Sequence, residues 1–163
     1  MRELCPVCHD NIVPAYGDER SDILLVGEYP GMEEMRRGYP FTGHTGDVLS
    51  SELSRCGINM WSVRLTNLWQ HDPTKDDGCF KYFLRDLLAE MAGRKVLMMG
   101  RLMSTYFLHM NILDVSGMEM TSPLFPRSVQ FVMFSPNPAL CFHAPIGEFR
   151  LAIQKFVTKC KGE

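Results

Sequence analysis

Apolar runs and amphipathic stretches alternate along the chain. Asp22–Gly27 (DILLVG) is an unbroken apolar run ended by glycine, which predicts a buried strand. Val63–Trp69 (VRLTNLW), Lys95–Gly100 (KVLMMG) and Val129–Phe134 (VQFVMF) read as three further strands. Between these runs the apolar spacing becomes helical. Over 45–57, Val48, Leu49, Leu53 and Cys56 share a face, and Gly57 stands where a C-terminal cap belongs. Residues 79–92 place Phe80, Phe83, Leu84, Leu87, Leu88 and Met91 at helical spacing, and 101–110 read as a short helix. Residues 145–160 close the chain with Ile146, Phe149, Ile153, Phe156 and Val157 on one face. Residues 28–44 hold three glycines and two prolines, which predicts a long loop with one helical turn at 32–36. Loops of that length within a compact domain are usually functional.

Strands alternating with helices predict an α/β fold, a three-layer α/β/α domain around a four-stranded, mostly parallel sheet. In such sheets ligands bind at the carboxyl ends of the strands. Unusual polar residues collect there: Gly27-Glu28-Tyr29-Pro30-Gly31 after the first strand, Asn67 late in the second, and Asn137-Pro138-Ala139-Leu140 after the last. Three strand ends of this kind point to one shared pocket.

Composition narrows the class. The chain has 163 residues, 45% hydrophobic and 22% charged, as expected of one globular domain. A net charge of −2 excludes the strongly basic nucleic-acid binders but not a local basic groove. No apolar run approaches the roughly 20 residues that span a bilayer, so no membrane association is expected. The start, MRELCPVCHD, lacks the pattern of a signal peptide, which predicts a protein that is not secreted and works in the cytoplasm, nucleoid or nucleus. Six cysteines without a secretion signal suit a reducing compartment with some of them on a metal. Cys5-Pro-Val-Cys8 is a C-x2-C unit, which lets two thiolates meet one ion or cluster. Cys56, Cys141 and Cys160 read as core or surface thiols.

The strand-end motifs resemble the uracil-DNA glycosylase superfamily, nearest to its iron–sulfur branch, often called family 4. That branch carries Gly-Glu-Ala-Pro-Gly, then Gly-Arg-Pro-Phe-Val-Gly and a further glycine. Here the chain reads Gly27-Glu28-Tyr29-Pro30-Gly31, then Gly38-Tyr39-Pro40-Phe41-Thr42-Gly43 and Gly46. The family's Thr-Asn on a strand matches Thr66-Asn67, and its His-Pro-Ser or His-Pro-Ala motif matches Asn137-Pro138-Ala139. The resemblance runs from about residue 5 to the end and implies a single domain over 1–163, with 1–20 packed on it as a metal-binding segment.

It also implies an activity: base excision repair by a monofunctional DNA glycosylase that hydrolyses the N-glycosidic bond of uracil or a related modified pyrimidine in DNA. Such an enzyme extrudes the base and holds it in a pocket. Phe41 would stack on it, and Asn67 would read its edge, since an amide offers a donor and an acceptor at once. Glu28 would position water and favour the cationic sugar, and Asn137 would stabilise the leaving anion where the family has histidine. Gly27 would lie against the base. Tyr29 stands where family 4 has a small residue and would narrow or cover the pocket. Plainer readings stand beside these: Phe41 as a core aromatic, Glu28 as a helix N-terminal charge, Asn67 as a strand-end residue, and Asn137 as an Asx-turn residue before proline.

The resemblance adds ligands to the C-x2-C unit. The family's third cysteine falls on His71 and its fourth on Cys79, giving Cys5, Cys8, His71 and Cys79. The resemblance implies a structural [4Fe–4S] cluster; three thiolates and one imidazole equally make a structural zinc site. Arg36, Arg37, Arg101, Arg127 and His143 lie where they could touch phosphate, and His44 follows Phe41 closely. The lack of a basic stripe suggests weak intrinsic DNA affinity and a DNA-tethering protein partner for an expected monomer. The rival reading is a weak or inactive module that binds uracil-DNA or a base without turnover.

Overall fold

A computed structural model of the protein describes residues 2–74, 77–142 and 146–163. His143 and the Cys141 side chain lie outside what it describes. The strands are β1 (Tyr16–Gly17), β2 (Ile23–Gly27), β3 (Arg64–Asn67), β4 (Lys95–Met99) and β5 (Phe131–Ser135). The helices are α1 (Met32–Arg37), α2 (His44–Arg55), α3 (Asp77–Met91), α4 (Arg101–Met103), α5 (Ile112–Val115) and α6 (Gly147–Cys160). A π-type turn over Ser104–Leu108 extends α4 in place of the continuous helix expected to residue 110.

The sheet has five strands in the order β1-β3-β2-β4-β5, not the four expected. β2, β3, β4 and β5 run parallel, and β1 pairs antiparallel with β3 through Tyr16 opposite Leu65 and Gly17 opposite Arg64. The additional strand has only two residues. A segment that short shows no period, and long-range pairing alone makes it a strand.

Alternation along the strands sorts the core into two layers. Leu25, Leu97, Met99 and Met133 pack with Leu49 and Leu53 of α2 and Phe149, Ile153, Phe156 and Val157 of α6. Leu24, Val26, Val96, Met98, Val132 and Phe134 pack with Leu87 and Met91 of α3, Phe107 and α5. The helices thus cover both faces of the sheet, as the unbroken apolar strands require. The chain passes from β2 to β3 on one side, then to β4 on the other. The carboxyl end of β2 is therefore the point where strand order reverses, the place such sheets leave a crevice.

Away from that crevice, Glu90 braces the opposite end of the sheet. Arg64 donates to both of its oxygens at 3.0 and 2.8 Å, and Arg94 adds a bond at 2.9 Å. Arg94 also donates to the carbonyls of Ser21 and Glu19, tying the β1–β2 connection to α3. Burial alone would raise the Glu90 carboxyl; the two guanidiniums outweigh it and hold it below the usual carboxylate range. Its contribution to stability is therefore present at neutral pH and lost as pH falls through that lowered value. Glu90→Gln is expected to cost about 1–3 kcal/mol at neutral pH and less in acid, read by urea denaturation at both pH values.

Candidate functional site

A cavity of about 200 Å³ opens at the carboxyl ends of the parallel strands. Gly27, Glu28, Tyr29, Phe41, Asn67 and Asn137 all line it. It is smaller than pockets for drug-sized ligands and suits a single planar ring. Gly27 is pinched between two neighbours: a Cβ there would overlap Asn67 Oδ1 and stand 3.0 Å from the Phe41 ring. Only glycine lets amide and ring approach this closely. Phe41 has φ 59°, unusual for a bulky residue, and Gly46 of α2 makes room for its backbone, since a Cβ at 46 would collide with the Phe41 carbonyl. Asn67 is 4% exposed, and no hydrogen bond joins its carboxamide to any other described residue. Its donor and acceptor are both open to the cavity.

Glu28 links three strand ends. Its Oε2 accepts from the Leu102 N–H at 3.0 Å and its Oε1 from Asn137 Nδ2 at 2.6 Å. Gly100, at φ 132°, lies so close that a Cβ there would sit 2.5 Å from the Glu28 carboxyl carbon. Asn137 Oδ1 accepts from the Ala139 N–H at 2.9 Å, which closes an Asx turn and fixes the amide. Both plainer readings therefore hold as part of the geometry: Glu28 caps the start of α4, and Asn137 makes its turn. Neither use exhausts the side chain. The carboxylate has further lone pairs, and the Asn137 amide has a second N–H.

A second cluster lies at the loop after β3. The ligand atoms of Cys5, Cys8, His71 and Cys79 all fall within 4.8 Å of one another. Cys5 Sγ is 3.8 Å from Cys79 Sγ, and Cys8 Sγ is 3.4 Å from His71 Nε2. His71 Nδ1 sits 2.8 Å from the Asp72 carbonyl; donation there leaves Nε2 as the lone-pair nitrogen. Burial raises the Cys5 thiol, but the backbone N–H groups of Cys8 and Val7, with His71, outweigh it and bring it to about 7. Burial pushes Cys79 up to about 12, with Cys8 and Cys5 adding to the shift. Thiolates this close repel, and a cation would relieve that repulsion.

A sequence profile of the family described as "Uracil DNA glycosylase superfamily" matches residues 14–157. The chain belongs to the uracil DNA glycosylase superfamily. Three relatives are each named type-4 uracil-DNA glycosylase. That of Archaeoglobus fulgidus is 36% identical over 87 residues, covering 48% of this chain and 44% of the relative. That of Pyrobaculum aerophilum is 28% identical over 106 residues, covering 59% and 54%. That of Saccharolobus solfataricus is 30% identical over 112 residues, covering 63% and 51%. The chain spans about half the length of the curated relatives it matches.

In this superfamily member the residues singled out from sequence form two groups: six around the cavity and four at the sulfur cluster. Two of the arginines that could touch phosphate are engaged with a neighbouring carboxylate. Arg36 and Arg37 both pair with Glu33, at 2.9 and 3.3 Å. His44 faces Asp47 at 4.0 Å. Among the described residues, no helix is long and apolar enough to cross a membrane.

Sequence reasoning missed Glu34. Its Oε1 accepts from the Gly31 N–H at 2.9 Å, and its Oε2 accepts from the Thr42 and Gly43 N–H groups at 3.0 and 2.7 Å. One carboxylate thus joins the loop bearing Tyr29 to the loop bearing Phe41. Glu34 stands three residues after the N-cap Gly31 and makes half of a capping box; glycine has no side chain to return the bond, so the usual sequence signal was incomplete. Glu34→Gln should loosen this junction. Hydrogen exchange at the Thr42 and Gly43 amides is expected to quicken at least about tenfold, as loss of charge-assisted bonds implies; unchanged protection would contradict the role.

Proposed function

We propose that this chain is a monofunctional DNA glycosylase that removes uracil, or a closely related modified pyrimidine, from DNA. The observation that carries the reading is the convergence of an open amide, an aromatic ring and a pinned carboxylate on one ring-sized cavity. Membership of the superfamily and likeness to proteins named type-4 uracil-DNA glycosylase support it.

The extruded base would stack on Phe41 over Gly27, and the Asn67 amide would pair with its imide edge by donating once and accepting once. Tyr29, 49% exposed at the rim, would cover the ring after entry and crowd a base bearing a methyl group. Glu28 would act on the sugar side. With one oxygen held by Leu102 N–H and the other by Asn137 Nδ2, its remaining lone pairs would orient a water and favour positive charge on the sugar. The water oxygen would bond to the anomeric carbon as the glycosidic electron pair departs with the base, and the proton the water sheds would pass to the Glu28 carboxylate and on to solvent. The second Asn137 N–H would meet the leaving base oxygen. A neutral imidazole has one N–H and could not serve both Glu28 and the base; a primary amide can.

The cysteine–histidine cluster would hold a structural metal group that fastens the N-terminal segment to the loop after β3 and takes no part in the reaction.

Base release from oligonucleotides carrying one uracil tests the reading. Glu28→Ala and Asn67→Ala should each slow single-turnover release by about 100-fold or more, and Asn137→Ala by about 100–1000-fold, the range for losing one such donor. Rates unchanged from the unaltered protein in all three variants would sink the assignments. Uracil-DNA binding without turnover in the unaltered protein would favour the binding-module reading.

A further inference from the structure

We infer that Cys5, Cys8, His71 and Cys79 hold one tetrahedral zinc ion, not the [4Fe–4S] cluster that the family resemblance implies. A zinc ion with bonds of about 2.3 Å to sulfur and about 2.0–2.1 Å to nitrogen sets its ligands on a tetrahedron. Its edges are about 3.8 Å between sulfurs and about 3.5 Å between sulfur and nitrogen. The corresponding separations here are 3.8 Å for Cys5 and Cys79 and 3.4 Å for Cys8 and His71. All four ligand atoms lie within 4.8 Å of one another, the compass of ligands that share one ion. A four-iron cubane carries each protein ligand on a different iron, so the body of the cluster spreads the ligands more widely.

Three of the four ligands sit in a close-packed wall. Cys5 and Cys79 are fully buried with Ile12 and Phe83 in one apolar cluster. The Phe83 ring packs edge-on to His71 at 4.9 Å between centroids. His71 itself is only 3% exposed and presents Nε2 inward, because Nδ1 is engaged at the Asp72 carbonyl. Neutral imidazole beside three thiolates is an ordinary zinc set, and four protein ligands that leave no open position mark a structural site. The N-terminal turn curls around the ligand pair: the His9 N–H reaches the Cys5 carbonyl at 2.8 Å, and His9, at φ 65°, turns the chain back so that the Asp10 carbonyl accepts from the Cys5 N–H at 2.7 Å.

The test is elemental analysis of the full chain, expressed with both iron and zinc supplied and purified without oxygen. One zinc per chain is expected, with no acid-labile sulfide and no broad visible absorbance. Cobalt(II) taken up in place of zinc should show the intense visible bands of a tetrahedral thiolate site, and Cys79→Ser should lose them. Iron with matching acid-labile sulfide would overturn the inference, as would metal-free protein with native circular dichroism. Metal content is read without substrate, so this inference and the glycosylase reading can each fail alone.

Discussion

The Glu28 carboxylate is wedged where three parallel strands end. The group is only partly exposed there and is held by partners from the protein. The Leu102 N–H after β4 and the Asn137 amide after β5 supply those partners from two different strands. Gly100 supplies the space, since any side chain at that position would strike the carboxylate. The acid therefore keeps one geometry only while the sheet keeps its strand order, and the cavity takes its rigidity from the sheet. Across the cavity the same logic holds for Gly27, whose missing side chain brings Asn67 and Phe41 together.

The sulfur cluster extends this bracing. His71 follows Asn67 closely in sequence, and the Val13 N–H bonds the Gln70 carbonyl at 2.7 Å, so the N-terminal segment lies along the chain leaving β3. An ion held by Cys5, Cys8, His71 and Cys79 would fix that exit and steady the Asn67 amide. The metal would then act on function through position alone. Nothing in that role requires electron transfer, so a redox-inert ion suits it as well as a cluster.

The four parallel strands were legible because apolar residues predominate in each segment, and α2, α3 and α6 because their apolar positions recur at helical spacing. The cavity was legible because polar residues and tight turns at three strand ends have no use in a core. β1 was not: two residues carry no pattern, and only pairing with Leu65 and Arg64 makes them a strand. The π-type turn at Ser104–Leu108 escaped because its sequence is as helical as its neighbours. The Glu28–Asn137 bond spans 109 residues, and no local rule foresees a pairing of that range. The ligand set came through resemblance, and only the folded chain shows how tightly the four donors gather.

The most direct test of the account is a crystal structure of the unaltered protein with free uracil at saturating concentration. The ring is expected against Phe41 and above Gly27, its imide edge paired with the Asn67 amide and a carbonyl oxygen facing Asn137. Uracil bound elsewhere, or a cavity left without it while the protein still releases uracil from DNA, would contradict it.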